Sequence, residues 1–270
     1  ELDKQLSQNE RVINKEALEM YPHTQIKLSS LTRFTLRLMG LALKSPFGKR
    51  YKFEHQQSAY YESLCIEPVL TSKFVYVPLH YQPEATSRPL GGLFADQLLL
   101  VQMLNYHLPE DWYIYVKEHI LPSDQNNRPL EFYDDLLKCK KVLFISKKVS
   151  TFTLIGSCTA TATLTGTAGW EGLFKGKPCL FFGYHLSQYA PGVFVIRSNE
   201  DCRNAVQKIR EGYSIDLMDL KYFMKAIEEV TIPTSSERFV YIQKKMSDEE
   251  WLNTMTAGYV TKVLQSIALR

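Results

Sequence analysis

The segment Thr165-Gly-Thr-Ala-Gly-Trp-Glu-Gly172 combines small and hydroxyl-bearing residues between an apolar run and a helix-like run. A strand that turns directly into a helix leaves backbone N–H groups exposed at the helix N-terminus. These groups and the helix dipole favour an anion, typically a phosphate. Gly166 and Gly169 would let a ligand approach the backbone, and the hydroxyls of Thr165 and Thr167 would add donors. The pattern predicts a phosphate site, although an ordinary tight turn whose small residues serve only packing fits it equally well.

Two groups that suit a phosphate follow the predicted strand Trp112–Val116. Lys117 supplies a cation and His119 a ring N–H, and both could contact a monophosphate or a diphosphate. Ligands of open α/β sheets bind at the carboxyl ends of the strands, where these residues are expected. The alternative is that His119 is an ordinary surface histidine. If this segment and 165–172 lie at the same edge of the sheet, the phosphate-binding role of His119 is favoured over the surface role.

A third polar segment, Pro78-Leu-His-Tyr-Gln-Pro-Glu84, also follows a predicted strand. His80, Gln82 and Glu84 place polar groups where a buried strand meets a loop, and two prolines restrict that loop, as a preorganised site requires. His80 and Glu84 are the candidate catalytic residues, and Gln82 is a candidate for an additional contact. A structural turn that caps a helix beginning near Leu93 explains the same residues, and the sequence leaves both interpretations open.

Several other kinds of site are not indicated by the sequence. The histidines are scattered and no carboxylates have ligand spacing, so no metal site is expected. No Gly-x-Gly-x-x-Gly follows the first strand, and neither a Gly-x-Ser-x-Gly nor a Walker-type phosphate loop is present, so no cofactor is expected. A net charge of +3 is too small to indicate nucleic acid. The 5 cysteines have no short spacing, which indicates free thiols in a reducing compartment.

The elements that must position these residues alternate between strands and helices. Strands are predicted at Phe74–Leu79, Trp112–Val116, Val142–Ile145, Ala160–Leu164, Cys179–Phe182 and Val193–Ile196. Helices are predicted near 93–107, 130–138, 169–175 and 199–212, then at Ser214–Val230 and Ser247–Ala268, the last one started by the capping pattern Ser247-Asp-Glu-Glu250. Such alternation favours a parallel sheet covered on both faces. The predicted fold is therefore an α/β domain with a Rossmann-like parallel sheet and flanking helices.

Composition divides the chain into three regions. Residues 1–70 are polar and helix-like, without a strand signal, and predict a helical lead-in; 71–246 form the Rossmann-like domain and 247–270 a closing helix. The stretch 27–52 carries only basic charges, among apolar residues (Leu28, Leu31, Phe34, Leu38 and Leu41) three and four apart, which predicts an amphipathic helix. This helix would lie on an anionic membrane surface or pack against a partner domain. No apolar run of about 18 residues exists, so we expect a cytoplasmic protein with peripheral contact at the inner face of the plasma membrane.

In their order along the chain, these motifs resemble the capsule polysaccharide biosynthesis family. That family includes bacterial transferases that add Kdo (3-deoxy-manno-octulosonic acid) from its CMP-activated form. The resemblance covers about residues 60–210. It is carried by Tyr76-Val-Pro-Leu-His-Tyr-Gln-Pro-Glu84, Asp96-Gln97, Val116-Lys-Glu-His119, Thr165-Gly-Thr-Ala-Gly-Trp-Glu171 and Gly176-Lys-Pro178.

The resemblance implies the C-terminal, donor-binding half of a GT-B glycosyltransferase, an architecture of two Rossmann-like domains. His119 matches the histidine of the family's Lys/His-Pro motif, expected to contact donor phosphate, although Ile120 replaces the proline. Thr165 and Thr167 match a hydroxyl-bearing pair on the other side of that phosphate. Glu171 falls where many GT-B transferases bind the donor ribose. The implied partners are a nucleotide sugar, a polysaccharide or glycolipid acceptor and an N-terminal GT-B domain that usually supplies the base.

The implied reaction transfers Kdo or a similar acidic sugar from a CMP-activated donor to a growing capsule or surface polysaccharide. One alternative is a non-catalytic nucleotide- or polysaccharide-binding module of the same fold, and another is a UDP-sugar epimerase. The joint presence of Lys117, His119, Thr165, Thr167 and Glu171 favours the transferase over the non-catalytic module.

Overall fold

A computed structural model describes residues 57–82, 84–119, 128–231 and 247–268 of the chain. These residues fall into two compact units, the first ending at Phe223 and the second beginning at Met224. The predicted basic helix at 27–52, and most of the predicted lead-in, lie outside the described residues.

The first unit contains a seven-stranded sheet in which every strand pairing is parallel. The strand order is β1-β4-β3-β2-β5-β6-β7. Without the edge strand β1, this is the Rossmann order, which runs outward from a central strand in both directions. The predicted Rossmann-like α/β fold is confirmed. The strands are β1 (Cys65–Ile66), β2 (Lys73–Pro78), β3 (Trp112–Lys117), β4 (Val142–Ile145), β5 (Ala160–Thr163), β6 (Cys179–Phe181) and β7 (Val193–Val195).

Helices follow most strands and return the chain to the amino edge of the sheet. Two short 3-10 helices, Gly92–Ala95 and Leu186–Tyr189, lie in loops that follow β2 and β6. The α-helices are α1 (57–64), α2 (Gln97–His107), α3 (Leu130–Leu137), α4 (Thr151–Ser157), α5 (Thr167–Phe174), α6 (Asn199–Arg210), α7 (Leu217–Val230) and α8 (Asp248–Ala268).

The central strand β2 is buried on both faces, as its continuous apolar sequence predicts. Val75 and Val77 belong to one buried apolar cluster, whereas Phe74 and Tyr76 belong to a second on the other face. The ring of Phe74 stacks on that of Tyr115 from β3, with centroids 4.1 Å apart. Burial of each such side chain stabilises the fold by about 1.5 to 3 kcal/mol. The middle of the sheet is therefore a rigid base for the loops at its carboxyl edge.

Two elements differ from the sequence-based prediction. The region before residue 70 was expected to contain no strand, but Cys65–Ile66 form β1 beside β4; two residues are too few to show a periodic pattern. Helix α4 was missed because Thr151-Phe-Thr-Leu-Ile-Gly-Ser157 is rich in β-branched residues and glycine, which disfavour helix. The Ser150 side chain caps this helix by accepting from the Thr153 N–H.

The second unit contains helix α8, which begins as predicted with a capping box. The Ser247 N–H donates to Glu250 Oε2 at 2.7 Å, and the Glu250 N–H donates back to Ser247 Oγ at 3.2 Å. Within the described part of the chain, no helix has the length and apolar character needed to cross a membrane.

Candidate functional site

The candidate site lies where the strand order reverses, between β2 and β5. The chain leaves β2 through β3 and β4 and then returns to place β5 against the other side of β2. Ligands of such sheets bind in the crevice outside the carboxyl ends of the strands at this point. The registered pairing between β2 and β5 covers only Val75↔Ala160 and Tyr76↔Thr161, so the two strands separate before their carboxyl ends. All three polar segments identified in the sequence follow β2, β3 or β5, and the fold brings them to one edge.

The ring of His80 fills the gap between the separating strands. Nε2 of His80 lies 2.8 Å from Thr163 Oγ1, and the Leu164 backbone N–H donates to the same nitrogen at 3.3 Å. The side chain is buried, with 8% of the residue exposed. Burial lowers the pKa of His80 to about 4, assisted by the positive charges of Arg128 and His119. His80 is therefore neutral at physiological pH, and its low basicity does not favour the role of a general base.

Helix α5 begins beside this ring without a side-chain cap. Its N-cap is Gly166, which has no side chain to satisfy the first-turn N–H groups, and the Gly166 N–H itself donates to Thr163 Oγ1 at 3.0 Å. A Cβ at Gly166 would lie 2.8 Å from Thr163 Oγ1 and 3.1 Å from Nε2 of His80. Uncapped N–H groups at a helix N-terminus attract anions. Gly166 thus allows close packing against His80 and Thr163. The backbone N–H groups at the start of α5 still offer hydrogen-bond donors.

The glycine and hydroxyl residues of this segment divide into packing and exposed positions. A Cβ at Gly169 would lie 3.0 Å from Cys179 Sγ, so this glycine lets α5 approach the sheet. The Thr165 hydroxyl donates to the backbone oxygen of Thr86 at 2.7 Å and so fastens the loop after β2. Thr167, the first residue of α5, is exposed. Of the two threonines, Thr167 is thus the exposed one.

Glu171 lies in α5, one turn after Thr167, and is half-buried. It lies close enough to Tyr76 of β2 to affect that phenol: the pKa of Tyr76 is raised, first by burial and also by the negative charge of Glu171. The contact of this carboxylate with a donor ribose, which the resemblance implies, stays a prediction.

Lys117, at the end of β3, is turned into the protein. Its Nζ donates to the backbone oxygen of Val149 at 2.5 Å and to Thr151 Oγ1 at 3.0 Å, and only 2% of the residue is exposed. These partners belong to the start of α4, the helix that was not predicted. In this structure, Lys117 anchors the start of α4, and its buried positive charge contributes to the electrostatic potential of the site. Its direct contact with a phosphate stays a prediction.

His119 is exposed at the same edge, and its backbone N–H donates to Glu118 Oε1 at 3.1 Å. Surrounding protein atoms desolvate the imidazole and lower its pKa, while the carboxylates of Glu118 and Glu84 act in the opposite direction. The charge of His119 acts on His80, and the charge of Glu84 acts on His119, so these three side chains lie in one electrostatic cluster. The fold thus joins two of the segments that the sequence could only suggest were neighbours.

The loop after β2 is held by side-chain amides. The Gln97 side chain accepts from the His80 N–H at 2.7 Å and donates to the His80 carbonyl at 3.1 Å. Gln82 donates to the backbone oxygen of Ala95. Helix α2 starts later than Leu93, at Gln97, with Asp96 as its N-cap. These contacts support a structural role for Gln82, next to the polar cluster.

A buried ion pair, which the sequence analysis did not identify, supports the site from below. Arg128 Nε lies 3.1 Å from Glu118 Oε2, and the Tyr133 hydroxyl donates to the same oxygen at 2.8 Å. The Arg128 guanidinium also donates to the backbone oxygen of His80. No sequence motif would reveal this pair, because one partner directly follows β3 and the other lies 10 positions later, before α3.

Among the residues that the structure describes, no group of three or more potential metal ligands comes together. The strand order and the polar groups at the switch point define a Rossmann-like α/β domain with an anion-compatible edge. The family model described as capsule polysaccharide biosynthesis protein matches residues 89–222. Over these residues, the family predicted from the sequence motifs is confirmed; the motif 76–84 lies before the match.

Several solved structures are distantly similar to this chain, among them the following two. The UDP-GlcNAc 2-epimerase from Methanocaldococcus jannaschii has 12% sequence identity and a TM-score of 0.41, with 64% of this chain and 49% of that chain covered. The beta Kdo 2,7 transferase KpsC from Thermosulfurimonas dismutans has 19% identity and a TM-score of 0.36, with coverage of 62% and 54%. The chain thus spans about half the length of both. No curated protein sequence gives a match.

Proposed function

We propose that this chain is the nucleotide-sugar-binding part of a glycosyltransferase that builds capsule or other surface polysaccharide. The observation that carries the proposal is the uncapped N-terminus of α5, which opens beside His80 at the switch point between β2 and β5. The family match supports the same proposal, since polysaccharide biosynthesis requires activated sugars.

The site suits the departure of a nucleotide. When an acceptor hydroxyl displaces the nucleotide from the sugar, negative charge develops on the departing phosphate. The α5 N–H groups and the Thr167 hydroxyl would stabilise this charge from one side, and His119 from the other. The buried ammonium of Lys117 would add positive potential without contact. Glu171 would bind the ribose.

The same proposal includes the identities of the donor, the acceptor and the general base, and a contact with the membrane. The donor would be a CMP-activated acidic sugar such as Kdo, and the acceptor a growing polysaccharide or glycolipid. A general base for the acceptor would come from an N-terminal GT-B domain, with Glu84 as the candidate within this chain because its carboxylate lies in the cluster with His119. Peripheral membrane contact would be made through 27–52.

Calorimetric titration of the chain with CMP, UDP, GDP and ADP tests the proposal. We expect selective binding of CMP that weakens at least tenfold in His119→Ala, since a hydrogen bond to a charged phosphate contributes about 1.5 to 3 kcal/mol. His107→Ala is the matched control, because His107 ends α2, bonds to Asn199 and belongs to none of the three polar segments. Preference for UDP would overturn the CMP assignment but retain a nucleotide-sugar enzyme. Absence of binding to all four nucleotides would overturn the proposal.

A further inference from the structure

One nitrogen of the His80 ring is fully engaged by the protein. The Leu164 backbone N–H is always a donor, so Nε2, at 3.3 Å, must present its lone pair. The Thr163 hydroxyl, 2.8 Å away, can then donate to the same lone pair while its oxygen accepts from the Gly166 N–H at 3.0 Å. We assign the tautomer from this hydrogen-bond network: the proton is on Nδ1.

The other nitrogen of His80 has no partner among the described residues. The hydrogen bonds that the ring makes to this part of the chain all involve Nε2. Nδ1 is not one of the fully buried side-chain atoms that lack a partner, so it reaches the surface, where a water or a ligand can accept its hydrogen bond. Cε1, the atom between the two nitrogens, lies 3.1 Å from the place where a Cβ of Gly166 would be. Nδ1 is bonded to Cε1, so the Nδ1–H that has no protein partner also lies near the start of α5.

The surroundings of this donor favour an anionic acceptor. The N–H groups of the first turn of α5 lack a side-chain cap, and the charges of Arg128 and His119 act on the His80 ring as positive neighbours. A neutral Nδ1–H, the Arg128 guanidinium, which is paired with Glu118, and a helix N-terminus are donors or positive potentials beside the ring. The group that completes them is an oxygen that accepts and carries negative charge.

We infer that His80 is a ligand-binding residue whose Nδ1–H donates a hydrogen bond to an anionic oxygen, phosphate or carboxylate, of a ligand at the N-terminus of α5. The inference rests on the proposed function. It assigns His80 to substrate recognition instead of proton abstraction. It also explains why the ring is fixed in one tautomer: Thr163 and Leu164 hold Nε2, so the donor stays directed at the ligand.

Two substitutions of His80 test the roles of its two ring nitrogens separately. His80→Gln places an amide near the position of Nε2, which keeps an acceptor for Leu164 and Thr163 but removes the Nδ1 donor. His80→Asn places its amide near the position of Nδ1, which keeps a donor but removes the acceptor. Calorimetry on the full chain with CMP, cytidine, inorganic phosphate and free Kdo measures the effect on binding, and a melting curve measures folding.

For CMP, we expect His80→Gln to weaken binding about 10- to 100-fold with an almost unchanged melting temperature. His80→Asn should bind CMP within about threefold of the wild type and melt at a lower temperature, because the bond to Leu164 is lost. Loss with CMP and phosphate identifies the phosphate as the acceptor, and loss with free Kdo identifies the carboxylate. Equal weakening with uncharged cytidine would overturn the inference.

Two results distinguish the inference from the proposed function. If the wild type binds CMP and His80→Gln binds it equally well, the inference is wrong and the proposed function stands. If the wild type binds none of the ligands, both are wrong. Nitrogen-15 NMR of the wild-type imidazoles is an independent readout: the inference requires a proton on Nδ1 whose signal shifts when CMP is added, and a proton on Nε2 would contradict it.

Discussion

The Arg128 guanidinium and the Glu118 carboxylate form an ion pair with Nε and Oε2 3.1 Å apart, and their side chains are 5% and 1% exposed. Glu118 follows β3 directly, and Arg128 also donates to the carbonyl of His80 after β2. The pair therefore ties together the carboxyl ends of two neighbouring strands at the edge where the candidate site lies.

Removal of one member of this pair should strongly destabilise the protein. Arg128→Met leaves the Glu118 carboxylate buried without its cation, which costs about 3 to 5 kcal/mol of unfolding free energy. Chemical denaturation measures this change. The control is Arg203→Met in the exposed pair with Glu200, whose side chains are 62% and 70% exposed; its effect should stay below about 1 kcal/mol. Equal effects of the two substitutions would show that the buried pair does not hold the edge.

Stability should also depend on pH through His80. Its pKa is about 4 in the folded protein against 6.5 for the ordinary group. Below pH 6.5, the unfolded chain therefore binds a proton that the folded protein does not. The contribution of neutral His80 to the free energy of unfolding is complete above pH 6.5. It is lost as the pH falls towards 4, by about 3 kcal/mol in all.

The glutamine variant isolates this effect from the titration of carboxylates. The carboxylates of Glu84 and Glu118 act on His119 in the same cluster, so a pH series of the wild type alone would not isolate His80. The unfolding free energy of the wild type and of His80→Gln should therefore be measured by denaturation at several pH values between 7 and 4. The wild type should lose up to about 3 kcal/mol of unfolding free energy relative to His80→Gln across this range. A constant difference would mean that His80 does not titrate as a buried neutral group.

The start of α5 should not tolerate a side chain. Gly166→Ala places a methyl group 2.8 Å from Thr163 Oγ1, and such overpacking costs about 1 to 3 kcal/mol. Gly156→Ala is the matched control, because nothing lies within 4 Å of a Cβ at that exposed position of α4. Alanine there should be neutral or stabilise by up to about 1 kcal/mol. Thermal melting of both variants checks the prediction, and a lower melting temperature for Gly156→Ala than for Gly166→Ala would contradict it.

Much of the sheet could be predicted because local sequence determines it. The run Phe74–Leu79 is apolar, short and bounded by polar residues, and β2 follows it to within one residue at each end. The same reasoning placed Thr165 to Thr167 between a strand and a helix. Local sequence could not reveal β1, which exists only because β4 offers it a partner.

The detailed contacts of the site depend on residues far apart in the chain. His80 and Thr163 are separated by 83 positions, and no motif rule joins them. Lys117 was recognised as a cation at a strand end, but its direction was set by Thr151 of α4, a helix whose sequence does not favour helix. Residue types at the edge were thus predictable, whereas the inward or outward direction of each side chain required the fold.

The most direct test of the account is a crystal structure of this chain with CMP bound. The account predicts that phosphate oxygens lie at hydrogen-bond distance, about 2.7 to 3.2 Å, from the backbone N–H groups at the start of α5 and from Nδ1 of His80. The ribose should then face Glu171. Density for the nucleotide at another face of the domain, with the start of α5 solvated and His80 unengaged, would contradict it.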